Sequence, residues 1–264
     1  MRYGCLKSKF DSRDYKLKPC GAINLPEEFE LSFVPFAKNQ KQVNSCVAHV
    51  AAEIEEYFEH KQCNKDVKLS PGFIYGTRYT YKGEGMYCTD ALKTLRDKGI
   101  CIQQKFPYNR EVPEIITLLS NSKVTLKDTE HCKITKYFRL RSNEEIKQAL
   151  YTYGPVMIAI DWYDNNYIEN GILQQGYGDG GGHCLYVYGW DTKGFKFLNS
   201  WGESWGDKGK CILPYSYHIE EAWGITDNNI ETENVTIYVP PRNKFIDIFY
   251  KIINLIVNIF KRTL

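Results

Sequence analysis

Apolar spacing changes its period partway along the chain, and that change limits the fold more than any other feature. From about residue 45 to 120 apolar side chains recur at helical intervals, as in Thr89-Asp90-Ala91-Leu92-Lys93-Thr94-Leu95-Arg96 ahead of Gly99. Residues 132–240 hold most of the β-like runs. There Ser142-Asn143-Glu144-Glu145 is a capping-box pattern opening a short helix that ends near Gly154-Pro155, and Val156 to Ile160 then reads as a buried strand. The expectation is an α+β fold: a helical lobe over 26–131, an antiparallel β-rich lobe over 132–240, and a cleft between them. An N-terminal arm (1–25) and a C-terminal tail (241–264) flank the two. With 264 residues, 43% hydrophobic and 14% aromatic, the chain can bury a substantial core.

Cys46 stands where a polar segment turns into a helix, in Asn39-Gln40-Lys41-Gln42-Val43-Asn44-Ser45-Cys46. Val47, Val50, Ala51, Ile54, Tyr57 and Phe58 form the apolar face, with Glu53, Glu55, Glu56 and Glu59 mostly on the other side. Asn44 or Ser45 is expected to cap the first turn through its side chain. A thiol in that turn feels aligned backbone dipoles that favour its thiolate, the nucleophilic form.

In the second half, Gly180-Gly181-Gly182-His183-Cys184-Leu185-Tyr186-Val187-Tyr188-Gly189-Trp190 and Phe195-Lys196-Phe197-Leu198-Asn199-Ser200-Trp201-Gly202 flank the turn-rich Asp191-Thr192-Lys193-Gly194. The pattern predicts a β-hairpin that brings His183 and Asn199 to neighbouring places on paired strands. Together they supply a base and an amide that can orient it.

Gln40 six places before Cys46, Gly181-Gly182-His183, Asn199-Ser200-Trp201-Gly202 and Trp205-Gly206-Asp207-Lys208-Gly209 together resemble the papain superfamily of cysteine proteases. Softer similarity covers most of residues 11–218. The resemblance implies a papain-like two-lobed fold and peptide-bond hydrolysis through a covalent acyl-enzyme, with no cofactor. It casts Cys46 as nucleophile, paired with His183 as thiolate and imidazolium, and Asn199 as the group that orients the imidazole. Gln40, with the Cys46 backbone N–H, would be the oxyanion donor; Gln42 is a nearby competitor, but the six-residue offset favours Gln40. Trp201 resembles the indole that shields the imidazole–amide hydrogen bond. Gly85, in Gly83-Glu84-Gly85-Met86-Tyr87, and Gly182 are carried over with Trp201 as substrate-binding positions. The chain departs from the family pattern at Val43, where many relatives have a bridging cysteine, at Asn44 for a glycine and at Val47 for a tryptophan. Its compact form, with about 25 residues before Leu25-Pro26, is similar to papain-like enzymes of some bacteria and large DNA viruses. A folded inhibitory prodomain is not expected; regulation must come from elsewhere, or the arm must occlude the cleft.

Nine cysteines without a signal-peptide pattern at Met1-Arg2-Tyr3-Gly4-Cys5 predict reduced thiols in a cytosol-like compartment, membrane-associated or packaged in a viral particle. No Cys-x-x-Cys occurs, and His131-Cys132 and His183-Cys184 lack partners at metal-site spacing, so no metal is expected. A net charge of +2 offers no case for a nucleic-acid partner. Expected partners are protein or peptide substrates. After Pro240-Pro241, residues 245–260 read as an amphipathic helix, too short and polar to cross a bilayer, that lies on a membrane surface or docks on protein. Two alternatives are an isopeptidase or acyl transferase on the same fold, which no sequence feature favours, and a noncatalytic membrane- or particle-attached scaffold, against which the intact nucleophile, base and oxyanion residues argue.

Overall fold

The computed structural model describes residues 3–9, 11, 16–18, 23–78, 83–108, 124–129, 132–227 and 236–238. The expected surface helix over 245–260 lies outside them. Among the described residues no helix is long and apolar enough to cross a membrane.

The thiol-bearing helix α1 (Cys46–Cys63) packs against α2 (Pro71–Gly76), α3 (Cys88–Asp97) and the sheet. Val47, Val50, Ile54 and Phe58 are fully buried, each contributing about 1.5–3 kcal/mol. The sequence pattern assigns the helix's glutamates to a solvated face, but Glu53, Glu55 and Glu56 are buried. A loop covers that face: Lys38 Nζ reaches Glu56 at 2.6 Å, its backbone N–H donates to Glu53, and Leu69 N–H donates to Glu56. A fourth helix, α4 (Asn143–Thr152), starts as its capping pattern predicts, with Ser142 Oγ accepting from Glu145 N–H at 3.2 Å.

In chain order the strands are β1 (Cys5–Leu6), β2 (Lys16–Lys18), β3 (Phe29–Glu30), β4 (Met86–Tyr87), β5 (Lys136–Leu140), β6 (Val156–Tyr163) and β7 (Tyr167–Glu169). They continue with β8 (Ile172–Gln174), β9 (Gly180–Trp190), β10 (Gly194–Leu198), β11 (Lys210–Pro214), β12 (Ile219–Thr226) and β13 (Thr236–Tyr238). The main sheet runs β13-β2-β5-β12-β6-β9-β10-β11-β8-β7, with β3 also on β9. From β5 to β11 every pairing is antiparallel, as expected; β2–β5 and β8–β11 are parallel.

Two-residue periodicity divides the core between the lobes. On β6 and β9, Met157, Ala159, Cys184, Tyr186 and Tyr188 join the helical cluster around α1. The alternate residues Val156, Ile158, Ile160, Leu185 and Val187 fill a second cluster with Ile146 and Leu150 of α4. The fold is therefore α+β and two-lobed, with β9 as the shared wall.

Candidate active site

Cys46 is the first residue of α1 and fully buried. The expected side-chain cap is absent. Asn44 Nδ2 donates to Glu84 instead, and Ser45 Oγ bonds Tyr108 Oη at 2.7 Å, because both polar groups find tertiary partners. The Cys46 sulfur is near enough to the backbone N–H groups of Val47, of Cys184 on β9 and of Gly4 on the arm for each to favour its thiolate. It therefore faces the other lobe beside the residue that follows His183.

The predicted hairpin is present as β9 and β10, and Asn199 follows β10 directly. His183 Nε2 and Asn199 Oδ1 are 2.8 Å apart, both residues fully buried. Ser200 N–H also donates to Asn199 Oδ1 at 2.8 Å, which identifies that atom as the oxygen. An oxygen can only accept, so Nε2 carries the ring proton and Nδ1 holds the lone pair of a neutral base. Nδ1 is buried and makes no hydrogen bond among the described residues. Trp201 stacks on the imidazole with centroids 4.7 Å apart, and Trp162 meets it edge-on at 5.3 Å. The Trp201 ring thus packs on the imidazole that Asn199 orients.

Gln40 is fully buried and tied to the Asn199 strand: its N–H donates to Ser200 O at 2.8 Å, and Ser200 Oγ donates to its Oε1 at 2.6 Å. Its Nε2 donates to Val43 O at 2.9 Å, three residues before the thiol. The sequence reading assigns no role to Ser200 or to Tyr108, whose hydroxyl donates to Gln40 O at 2.8 Å.

The arm fills the cleft. Gly4 N–H donates to Gly182 O at 3.0 Å, Met86 N–H donates to Gly4 O at 2.8 Å, and β1 pairs in parallel with β4. Gly85 and Gly182 therefore line a channel that holds extended peptide backbone. A Cβ on Gly182 would meet Cys5 O at 2.1 Å, and one on Gly4 would meet Asn44 O at 2.1 Å. Tyr3 adds an edge contact to the His183 ring and a hydrogen bond to Asp164.

This enclosure disfavours charge on both Cys46 and His183. Burial pushes the Cys46 thiol up to about 11, against the backbone N–H groups that favour the thiolate. Burial also pulls His183 down to about 4, only partly offset by its bond to Asn199. Burial thus favours the neutral thiol and the neutral imidazole, in the direction opposite to the thiolate–imidazolium pair that the resemblance implied.

The model of the papain family of cysteine proteases matches residues 26–231, most of the chain and all the residues just described apart from the arm. The chain belongs to that family. This papain-family chain is 28% identical to mouse cathepsin K over 236 residues, covering 82% of this chain and 63% of that protein. It is 30% identical over 197 residues to the viral cathepsin of Heliothis zea nuclear polyhedrosis virus, covering 71% of this chain and 52% of that one. The chain thus spans between about half and two thirds of these relatives' lengths. In fold it is similar to xylellain, a cysteine protease from Xylella fastidiosa, with a TM-score of 0.73 at 24% identity over 86% of this chain and 96% of that one.

Proposed function

We propose that the chain is a cysteine endopeptidase that hydrolyses protein or peptide substrates through an acyl-enzyme at Cys46, and that the arm-filled state is its latent form. The observation that carries this reading is an extended backbone held between Met86 N–H and Gly182 O, across the Cys46 sulfur and beside the oriented His183. With the arm withdrawn, His183 Nδ1 takes the thiol proton and Cys46 Sγ attacks the scissile carbonyl carbon. The resulting oxyanion is met by the Cys46 backbone N–H and by Gln40 Nε2 once it turns from Val43 O. The intermediate collapses as the imidazolium gives its proton to the departing amine. Water, deprotonated by His183, then hydrolyses the thioester and regenerates the thiol. Asn199 holds the imidazole tautomer throughout.

A reducing compartment fits this chemistry: the eight described cysteines are all free thiols. The test is hydrolysis of an unfolded protein by the purified chain beside its Cys46→Ala variant. Cleavage that disappears in the variant is expected, and equal cleavage by both would overturn the proposal. Profiling ubiquitin-like conjugates against plain peptides separates peptidase from isopeptidase.

A further inference from the structure

We infer that Cys5, Cys88 and Glu221 form the frame of a buried site for a thiolate-binding divalent ion of the zinc class, with the neighbouring Cys184 thiol closing the tetrahedron on binding, and that the ion clips the arm into the cleft. Cys5 and Cys88 place their sulfurs 3.6 Å apart. Two thiolates on one tetrahedral metal stand about 3.8 Å apart, given metal–sulfur bonds near 2.3 Å, so this pair needs almost no adjustment. A disulfide would require closing to about 2.05 Å. The buried Cys184 thiol interacts electrostatically with both, and its sulfur would shift inward to become the fourth donor. A carboxylate oxygen of Glu221 lies within 4.8 Å of the Cys5 and Cys88 sulfurs, and those sulfurs within 4.8 Å of each other.

All four residues are buried, as a structural rather than a catalytic metal requires. Glu221 is oriented from outside: Trp223 Nε1–H donates to it at 2.9 Å, Ser8 N–H at 3.1 Å, and Arg139 stands 3.7 Å away. Each carboxylate oxygen retains a lone pair for a metal. Binding would release three thiol protons. The divalent ion with three thiolates and one carboxylate carries a net charge of −2, partly balanced by Arg139 and by the N-terminal dipole of α3, where Cys88 is the first residue.

The four donors come from β1, α3, β9 and β12, so the site exists only when the arm is seated. Their separation along the chain also explains why cysteine spacing gave no hint of a metal.

The inference goes beyond the peptidase reading, and its readout is metal content rather than hydrolysis. Full-length chain, purified under reducing conditions and equilibrated with zinc, is analysed for metal per chain, and cobalt-loaded protein for thiolate-to-metal absorption. About one ion per chain is expected. Cys5→Ser and Cys88→Ser should each weaken binding at least tenfold, and Cys46→Ser should retain the ion. Cys5 sits on the two-residue strand β1 at the edge of the core, so the melting curve of Cys5→Ser beside wild type tells lost metal from lost fold. Failure of the wild-type chain to hold zinc, equal zinc in Cys5→Ser and wild type, or loss of zinc in Cys46→Ser with retention in Cys88→Ser would each overturn the site.

Discussion

Asn199 Oδ1 accepts from both Ser200 N–H and His183 Nε2–H, and this one atom decides which imidazole nitrogen is the base. Asn199→Ala should retain the fold and lose about one to two orders of magnitude in kcat, read by steady-state kinetics; unchanged kcat would deny Asn199 its orienting role. Gln40→Ala should cost roughly 10²–10³ in kcat with a smaller change in KM, since its donor acts on the tetrahedral oxyanion. The thiol gives a pH test. With Cys46 pushed up to about 11, alkylation of the full chain should keep accelerating toward that pH, while a chain with its arm displaced should plateau at lower pH. Coincident profiles would contradict burial by the arm as the cause. Cys46, His183 and Asn199 are the residues whose positions were legible in the sequence, because a helix start and a hairpin fix them locally. Ser200, Tyr108 and Tyr3 were not, because their roles depend on tertiary contacts across the cleft.

At the scale of elements, local chemistry predicted α4 and β9–β10 closely, whereas α1 was read correctly in its start and its apolar face and wrongly in the environment of its glutamates. Period counting finds one apolar face; it cannot reveal that the Lys38 segment covers the opposite one. The consequence falls on Glu55, which is buried, has one oxygen without a partner and faces the negative charges of Asp227 and Glu59. Burial, then these charges, raise its pKa well above the ordinary 4.5. The folded state therefore binds the proton more tightly than the unfolded state. The stability this contributes is fully present below 4.5 and is lost as pH rises through the folded value. Glu55→Gln should raise the melting temperature by a few degrees at neutral pH, a gain that closes in acid. Calorimetry showing an equal gain at both pH values would exclude ionisation as the cause. Short strands such as β1 and β4 escaped the sequence altogether, since two residues carry no period.

For the whole molecule, lobe order, sheet lobe and cleft follow from the change of period, but the arm's course through the cleft follows from Gly4 and Gly182 passing backbone too closely for any side chain. Gly4→Val would drive a branched side chain into Asn44 O. Overpacking of this kind costs about 1–3 kcal/mol, so the open population and the rate of peptide hydrolysis should rise about tenfold. A variant no faster than wild type would mean that the arm does not limit access. The central claim, that one sulfur and one imidazole carried by different lobes act together across this cleft, is tested most directly by labelling. A substrate-like peptide electrophile is applied to the Gly4→Val chain and to the same chain carrying His183→Ala, and adducts are located by mass spectrometry. The account predicts a single adduct, on Cys46, formed rapidly with His183 and at least a hundredfold more slowly without it; labelling spread over the other cysteines, or equally fast with alanine at 183, would contradict it.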